Sequence, residues 1–163
     1  MSSVSKMKKK LSKTFPDFSE IDMTGKSYAE RSKNFVLETE ERNNSFRLNI
    51  VPQCSGFGTG GAVWTGGILL SRVLEYRKNE LVKGRRILEL GSGCGLGGMV
   101  CAMSGAKKVV MTDLKSVIPL TRGNLARNHR EIQRGGCEIE VAELEWGVTD
   151  LKHFTSQRFD LII

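Results

Sequence analysis

An acid followed by three glycines at alternate positions is the motif in this sequence with the clearest chemical potential. Glu89 stands near the end of a short apolar run, and the glycines that follow it are Gly91, Gly93 and Gly95. Glycine has no Cβ and tolerates a positive φ, so such a turn lets the backbone press closely against a bound molecule. Asp113 lies 22 residues after Gly91, near the usual offset of an acid that binds ribose hydroxyls. The spacing predicts a site for an adenosine-type cofactor.

A second glycine register overlaps the first. Residues 93–98 match the pattern Gly-x-Gly-x-x-Gly, which in nicotinamide enzymes places phosphates at a helix N-terminus. The register that begins at Glu89 is preferred, because it puts Gly91 directly after the strand, where the chain must turn. A nicotinamide-dependent oxidoreductase stays open as an alternative, as does a purely structural strand-to-helix turn.

The elements that would position the glycine motif alternate between strands and helices. Strands are predicted at 45–51, 86–90, 108–111, 138–141 and 159–163. Helices are predicted at 63–79, 96–104 and 116–129, with a short further helix at 28–34. This alternation implies right-handed crossovers and a largely parallel sheet. We expect an α/β fold with a Rossmann-like, doubly wound sheet that is incomplete at the C-terminus, where the apolar strand 159–163 ends the sequence.

Helical spacing also predicts which faces are buried. In the first long helix the expected buried residues are Leu69, Val73 and Tyr76, at i, i+4 and i+7. In the next helix one side is formed by Leu96, Val100 and Met103. Pro119 is compatible with the third helix because it falls in the first turn.

Four ordered segments together resemble the methyltransferase-like 21 group of class I, seven-β-strand methyltransferases. They are Gly-Ala-Val-Trp at 61–64 with Leu-Leu-x-x-x-Leu-Glu at 69–75, the glycine motif at 87–96, Val-Met-Thr-Asp-Leu at 110–114, and Leu-Glu-Trp-Gly at 144–147 before Phe-Asp-Leu-Ile at 159–162. The resemblance covers about residues 45–163. It implies the cofactor S-adenosyl-L-methionine, and methyl transfer to a lysine side chain of a protein substrate.

The resemblance assigns the methionine side of the cofactor site. Trp64 would line the cofactor, and the loop under its methionine portion would be Gly91, Ser92 and Gly93. Glu89 would either contact the cofactor's amino group or hydrogen-bond loop amides. Without the motif context, Trp64 would be read as a core anchor.

The adenosine side follows from two further residues. Asp113 would accept hydrogen bonds from both ribose hydroxyls, although an aspartate there would also serve to N-cap the next helix. Trp146 would lie beside the adenine, or anchor its loop beneath the sheet. The family's Asp-x-x-Tyr motif after the fourth strand is absent from this sequence, so catalytic and substrate residues are unassigned, and we interpret the chain as truncated. An RNA or small-molecule methyltransferase and a non-catalytic binding fragment remain alternatives.

Charge and composition narrow the class of protein. The net charge is +7, of which +5 comes from lysines in residues 1–13. We expect a disordered basic tail at 1–20, an extension with a strand and a glycine-rich loop at 21–60, and the first part of a methyltransferase domain at 61–163. The tail makes nucleic-acid contact an alternative that is not favoured. No apolar run approaches the roughly 20 residues of a membrane span, so no membrane insertion is expected.

Metal chemistry is not expected from the cysteines and histidines. Cys54, Cys94, Cys101 and Cys137 form no Cys-x-x-Cys pair, and His129 and His153 show no ligand spacing with them. Both histidines are predicted to face solvent. Four thiols without a secretion signal fit a cytoplasmic location, with nuclear entry through the basic tail as a further expectation. A monomer is expected.

Overall fold

A four-stranded parallel sheet forms the centre of the part of the chain that the computed structural model describes, residues 35–38 and 47–163. Its strands are β3 (Arg86–Leu90), β4 (Lys108–Asp113), β5 (Glu138–Glu143) and β6 (Leu161–Ile162). They lie in the order β5-β4-β3-β6, and Leu88 pairs with Val110 on one side and Ile162 on the other. The order reverses between β3 and β6, which is the position where open α/β sheets bind ligands. The α/β, Rossmann-like prediction is confirmed.

Helices connect these strands and lie on both faces of the sheet. They are α1 (Thr65–Tyr76), α2 (Lys78–Leu81), α3 (Leu96–Met103), α4 (Ile118–Arg127), α5 (His129–Arg134) and α6 (Lys152–Thr155), with a 3-10 turn at Gly58–Gly61. The main core lies between the sheet and α3, which packs against both α1 and α5. A smaller cluster on the opposite face joins Leu88 and Val110 to Leu144 and Phe154.

An antiparallel hairpin precedes the sheet and shares its core. It pairs β1 (Phe35–Glu38) with β2 (Arg47–Ile50). The side chains of Leu37, Leu48 and Ile50 are buried in the main hydrophobic cluster. The hairpin is therefore packed onto the same core as the sheet.

The strand predictions agree well with the structure. The strand at 86–90 is confirmed residue for residue, and those at 108–111 and 138–141 extend two residues further than predicted. The strand predicted at 45–51 is observed as Arg47–Ile50, and the one at 159–163 as Leu161–Ile162. Strand β1 was not predicted. The predicted tail at 1–20 and helix at 28–34 lie outside the described residues.

The predicted burial of α1 is confirmed only in part. Leu69 and Val73 are half-buried, whereas Tyr76 is 52% exposed. The fully buried side chains are those of Ile68, Ser71 and Leu74, and a search for large apolar residues passes over the serine. Helix α3 differs in another way, because all of its residues are buried rather than one side only.

The helix predicted at 116–129 is divided in two at Asn128. Helix α4 ends at Arg127 and α5 begins at His129, while Pro119 lies in the first turn of α4 as expected. The Asn124 carbonyl accepts hydrogen bonds from both the side chain of Asn128, at 2.8 Å, and its backbone amide, at 3.2 Å. Within residues 35–38 and 47–163, no helix is both long and apolar enough to cross a membrane.

Candidate functional site

A cleft of about 930 Å³ opens at the carboxyl ends of the parallel strands. Its walls come from the segment between β2 and α1, from the turns after β3 and β4, and from the loop after β5. The predicted cofactor residues all line this cleft: Trp64, Glu89, Gly91, Ser92, Gly93, Asp113 and Trp146. Their side chains come from four separate segments, and the fold of the sheet brings them together.

The glycine loop adopts the conformation that its preferred register requires. Gly91, Gly93 and Gly95 have φ values of +74°, +51° and +81°, a region that favours glycine. A Cβ built at Gly93 would lie 2.8 Å from the carbonyl oxygen of Gly60, so this position also needs glycine for close approach. Gly93 and Gly95 belong to both registers. Gly91 belongs only to the register that begins at Glu89 and has a positive φ, whereas Gly98, which completes the other register, lies within the helix Leu96–Met103 without one. The turn directly after the strand is therefore the one that the preferred register predicts.

Glu89 is buried at the base of the cleft. Its Oε2 accepts a hydrogen bond from the Gly98 amide in α3 at 3.0 Å. A Cβ at Gly97 or Gly98 would lie 2.5 or 2.6 Å from the carboxylate, so these two glycines make room for the acid. This role of Gly97 and Gly98 was not predicted from the sequence. The signal that could have indicated it is a Gly-Gly pair eight residues after a buried acid. Burial raises the pKa of Glu89 to about 8, opposed by the Gly98 hydrogen bond and supported by the charge of Asp113.

Asp113 joins the end of β4 to the glycine loop. Its Oδ2 accepts a hydrogen bond from the Gly93 amide at 2.7 Å, and its Oδ1 accepts one from the Leu114 amide at 2.7 Å. The alternative that it caps the next helix is wrong, because α4 begins at Ile118 and Val117 is its N-cap residue. Each carboxylate oxygen offers about two lone-pair sites, so both keep acceptor capacity toward the cleft.

The two tryptophans line the cleft from opposite sides and are unusually exposed. Trp64 is 49% exposed, and its indole nitrogen donates a hydrogen bond to the Thr59 carbonyl at 2.9 Å. Trp146 is 69% exposed, and its Cζ2 lies 3.7 Å from the position of a Cβ at Gly91. The reading of Trp146 as an anchor beneath the sheet is therefore wrong, because its ring stands beside the glycine loop. Trp64 is likewise no core anchor.

Two further polar side chains of the loop, Ser92 and Cys94, are buried. The Ser92 hydroxyl is buried and has no hydrogen-bond partner among the described residues. The Cys94 thiol lies 3.4 Å from the Gly61 carbonyl oxygen, and burial raises its pKa to about 12. A nucleophilic thiolate is the reactive form of cysteine, so Cys94 is not suited to that chemistry.

Neither histidine lines the cleft. His129 and His153 are both exposed, as predicted, although His153 is hydrogen-bonded to Glu140. In the described part of the chain, no group of three or more His, Cys, Asp or Glu side chains is arranged to hold a metal ion.

Comparison with known proteins identifies the class and then the family. A protein from Streptococcus mutans, assigned as a SAM-dependent methyltransferase, superposes with a TM-score of 0.50 at 19% identity, over 80% of this chain and 32% of that one. This similarity concerns the fold of class I methyltransferases. The chain belongs to the lysine methyltransferase family, whose sequence profile matches residues 42–163. The resemblance stated from the sequence motifs is thus confirmed.

Relatives in this family are protein methyltransferases by name. Protein N-lysine methyltransferase METTL21A from Danio rerio is 33% identical over 118 residues, which are 72% of this chain and 51% of the relative. METTL21A from Mus musculus is 37% identical over 107 residues, or 65% of this chain and 46% of the relative. The chain thus spans about half the length of these curated relatives.

Proposed function

We propose that this chain carries the cofactor side of an enzyme that transfers a methyl group from S-adenosylmethionine to a lysine side chain of a protein. The proposal depends on the agreement of two results. Every residue that lines the cleft, from Gly56 to Ile163, falls inside the segment matched by the lysine methyltransferase family. The names of the METTL21A relatives support a protein lysine as the acceptor.

The residues of the cleft fit S-adenosylmethionine. Asp113 has acceptor capacity for ribose hydroxyls, and the unpartnered Ser92 hydroxyl offers a polar contact in the loop. The exposed ring of Trp146 offers a stacking surface for an adenine, and the absence of a Cβ at Gly91 keeps the space beside that ring open. The cleft volume of about 930 Å³ is that of an ordinary cofactor site.

The lining of the cleft fits a cationic ligand. Glu89 and Asp113 both line it, and a nearby cation would favour the charged form of Glu89, whose pKa is raised to about 8 by burial. The aromatic ring of Trp64 offers a π-face that attracts cations. When bound, S-adenosylmethionine supplies a methyl group on a sulfonium centre that is open to in-line displacement. The role of the chain's own residues is to bind and orient, with reacting atoms about 3–3.5 Å apart.

The acceptor amine must lose its proton before it attacks, because an ordinary lysine has a pKa near 10.4. Desolvation disfavours the charged amine, so the aromatic walls at Trp64 and Trp146 would assist by excluding water. We assign no catalytic base among the described residues. As parts of the same proposal, the protein acts as a monomer on a protein partner, in the cytoplasm with access to the nucleus.

Calorimetric titration of the intact protein with S-adenosylhomocysteine tests the cofactor assignment. We expect one site per chain, and no binding of NADH measured by its fluorescence. Absence of S-adenosylhomocysteine binding, or tight NADH binding, would overturn the proposal. The acceptor is then tested with radiolabelled S-adenosylmethionine and a cell extract. Label recovered as methyl-lysine after acid hydrolysis is expected, whereas label confined to RNA would contradict the lysine assignment.

A further inference from the structure

Two side chains of α4 hold the underside of the glycine loop. The Thr121 hydroxyl donates a hydrogen bond to the Gly93 carbonyl oxygen at 2.7 Å. The Asn124 side-chain amide donates one to the Cys94 carbonyl oxygen at 3.1 Å. Both side chains are almost fully buried, with 0% and 1% exposure. Two consecutive carbonyls of the loop are thus fixed by residues three positions apart on one helix.

Asn124 also binds the N-terminal hairpin. Its Oδ1 accepts a hydrogen bond from the Val51 amide at 3.0 Å, and its Nδ2 donates one to the Val51 carbonyl at 3.3 Å. Asn128, four positions later, binds the Asn49 amide and carbonyl in the same way, with both distances 2.8 Å. The two carboxamides therefore pair with alternate residues of β2 and its continuation, as the backbone of a neighbouring strand would.

The other side of the loop is fixed by β4. The amides of Gly91 and Ser92 both donate to the Thr112 carbonyl at 2.9 Å, and the Gly93 amide donates to Asp113. The carbonyl contacts to Thr121 and Asn124 complete this set. Because buried carbonyls without partners are costly, loss of either side chain would favour rearrangement of the loop.

We propose that Thr121 and Asn124 are positioning residues for the cofactor, because they hold the Gly93 and Cys94 carbonyls of the glycine loop in place. Thr121 acts on the Gly93 carbonyl alone. Asn124 is shared between the loop and the segment that continues β2, and its direct contact with the loop is the part that fixes loop order. The cofactor part of this inference rests on the proposed function, whereas the part concerning loop order does not.

The first test compares Thr121→Val with Thr121→Ser in the intact protein. Valine retains the shape of threonine, including the methyl group packed near Gly95, but cannot donate to the Gly93 carbonyl. We expect amide hydrogen exchange at residues 91–95 to become about tenfold faster in the valine variant. Serine should restore the rate to within about twofold, because it keeps the hydroxyl.

The second test compares Asn124→Ala with Asn128→Ala. Both remove a buried carboxamide that binds the hairpin, but only Asn124 contacts the glycine loop. Both variants should therefore exchange faster at residues 47–51, whereas only Asn124→Ala should exchange faster at residues 91–95. Circular dichroism identifies a variant that fails to fold, in which case the Thr121 pair decides.

Cofactor binding provides the second readout. Thr121→Val and Asn124→Ala should bind S-adenosylhomocysteine about tenfold more weakly and raise the KM for S-adenosylmethionine, with kcat within about twofold. Asn128→Ala should bind within about threefold of the wild type.

Equal loop exchange in Asn124→Ala and Asn128→Ala, or unchanged exchange in Thr121→Val, would overturn the inference about loop order. Faster exchange with unchanged affinity would overturn the positioning role. A wild-type protein that binds no S-adenosylhomocysteine would refute the proposed function instead, and the exchange comparison would still decide the loop.

Discussion

Two acidic regions of this molecule, at opposite ends of the parallel strands, are satisfied in different ways. At the carboxyl ends, Glu89 and Asp113 face the cleft and accept hydrogen bonds from backbone amides. Where β4 and β5 begin, the Lys108 ammonium lies 2.8 Å from Glu138 and 3.1 Å from Glu140. Lys108 pairs with both acids of the second region, whereas Glu89 and Asp113 form no ion pair within the described residues.

The pKa values of Glu89 and Glu140, one acid from each region, are shifted in opposite directions. Burial raises the pKa of Glu89 to about 8. Burial would also raise the pKa of Glu140, but hydrogen bonds from His153 and Lys108 outweigh it, so that pKa lies below its ordinary value. The comparison indicates that burial dominates the pKa of Glu89, whereas the adjacent histidine and lysine dominate that of Glu140.

The largest expected effect is an opposite pH dependence of stability in two variants. Because the folded protein binds the Glu89 proton more tightly than the unfolded chain, the wild type should lose stability as pH rises from about 4.5 to 8. The slope is at most about 1.4 kcal/mol per pH unit, so the loss is at most about 5 kcal/mol over the window. Glu89→Gln should remove this loss, which urea unfolding followed by circular dichroism would measure.

Glu140→Gln provides the contrast. The lowered pKa of Glu140 contributes stability that is present above its ordinary value of 4.5 and is lost as pH falls through the folded value. This variant should be less stable at neutral pH and lose less on acidification. Parallel pH profiles of the two variants would contradict the distinction between the two regions.

The next largest expected effect is on the affinity for S-adenosylhomocysteine. It distinguishes two aspartates that each accept a hydrogen bond from a backbone amide. Asp113→Ala should weaken S-adenosylhomocysteine binding about 100-fold, or about 2.8 kcal/mol, because hydrogen bonds to a charged group are lost. Asp160 accepts the Arg86 amide at 2.8 Å where β3 begins, away from the cleft. Asp160→Ala should bind within about twofold of the wild type in calorimetric titrations. Similar losses in both variants would mean that Asp113 acts only through stability.

Local sequence signals were sufficient for much of the cleft. The run Arg86–Leu90 ends at a glycine that must turn, so both the strand and the position of Gly91 followed from local preferences. Asp113 followed from its offset of 22 residues after Gly91, whereas the position of Trp146 was implied by the family resemblance. These predictions needed no knowledge of distant contacts.

The support beneath the cleft could not be predicted in this way. Asn124 and Asn128 look like surface residues of an ordinary helix, since their partners lie 73 and 79 residues away in the hairpin. The burial of Ser71 could not be predicted either, because a serine gives no apolar signal. Long-range hydrogen bonds and close helix contacts depend on tertiary structure that periodicity does not record.

The smallest effect tests whether the exposed aromatic wall belongs to the ligand site. Trp146→Ala should weaken S-adenosylhomocysteine binding about tenfold, because a stacking surface beside the glycine loop is lost. Since the side chain is 69% exposed, the free energy of unfolding should change by no more than about 0.5 kcal/mol. Val148→Ala is the matched control, because Val148 is 72% exposed on the same loop but does not line the cleft. Equal affinities in the two variants would remove Trp146 from the site and leave Asp113 and the glycine loop as its supported contacts.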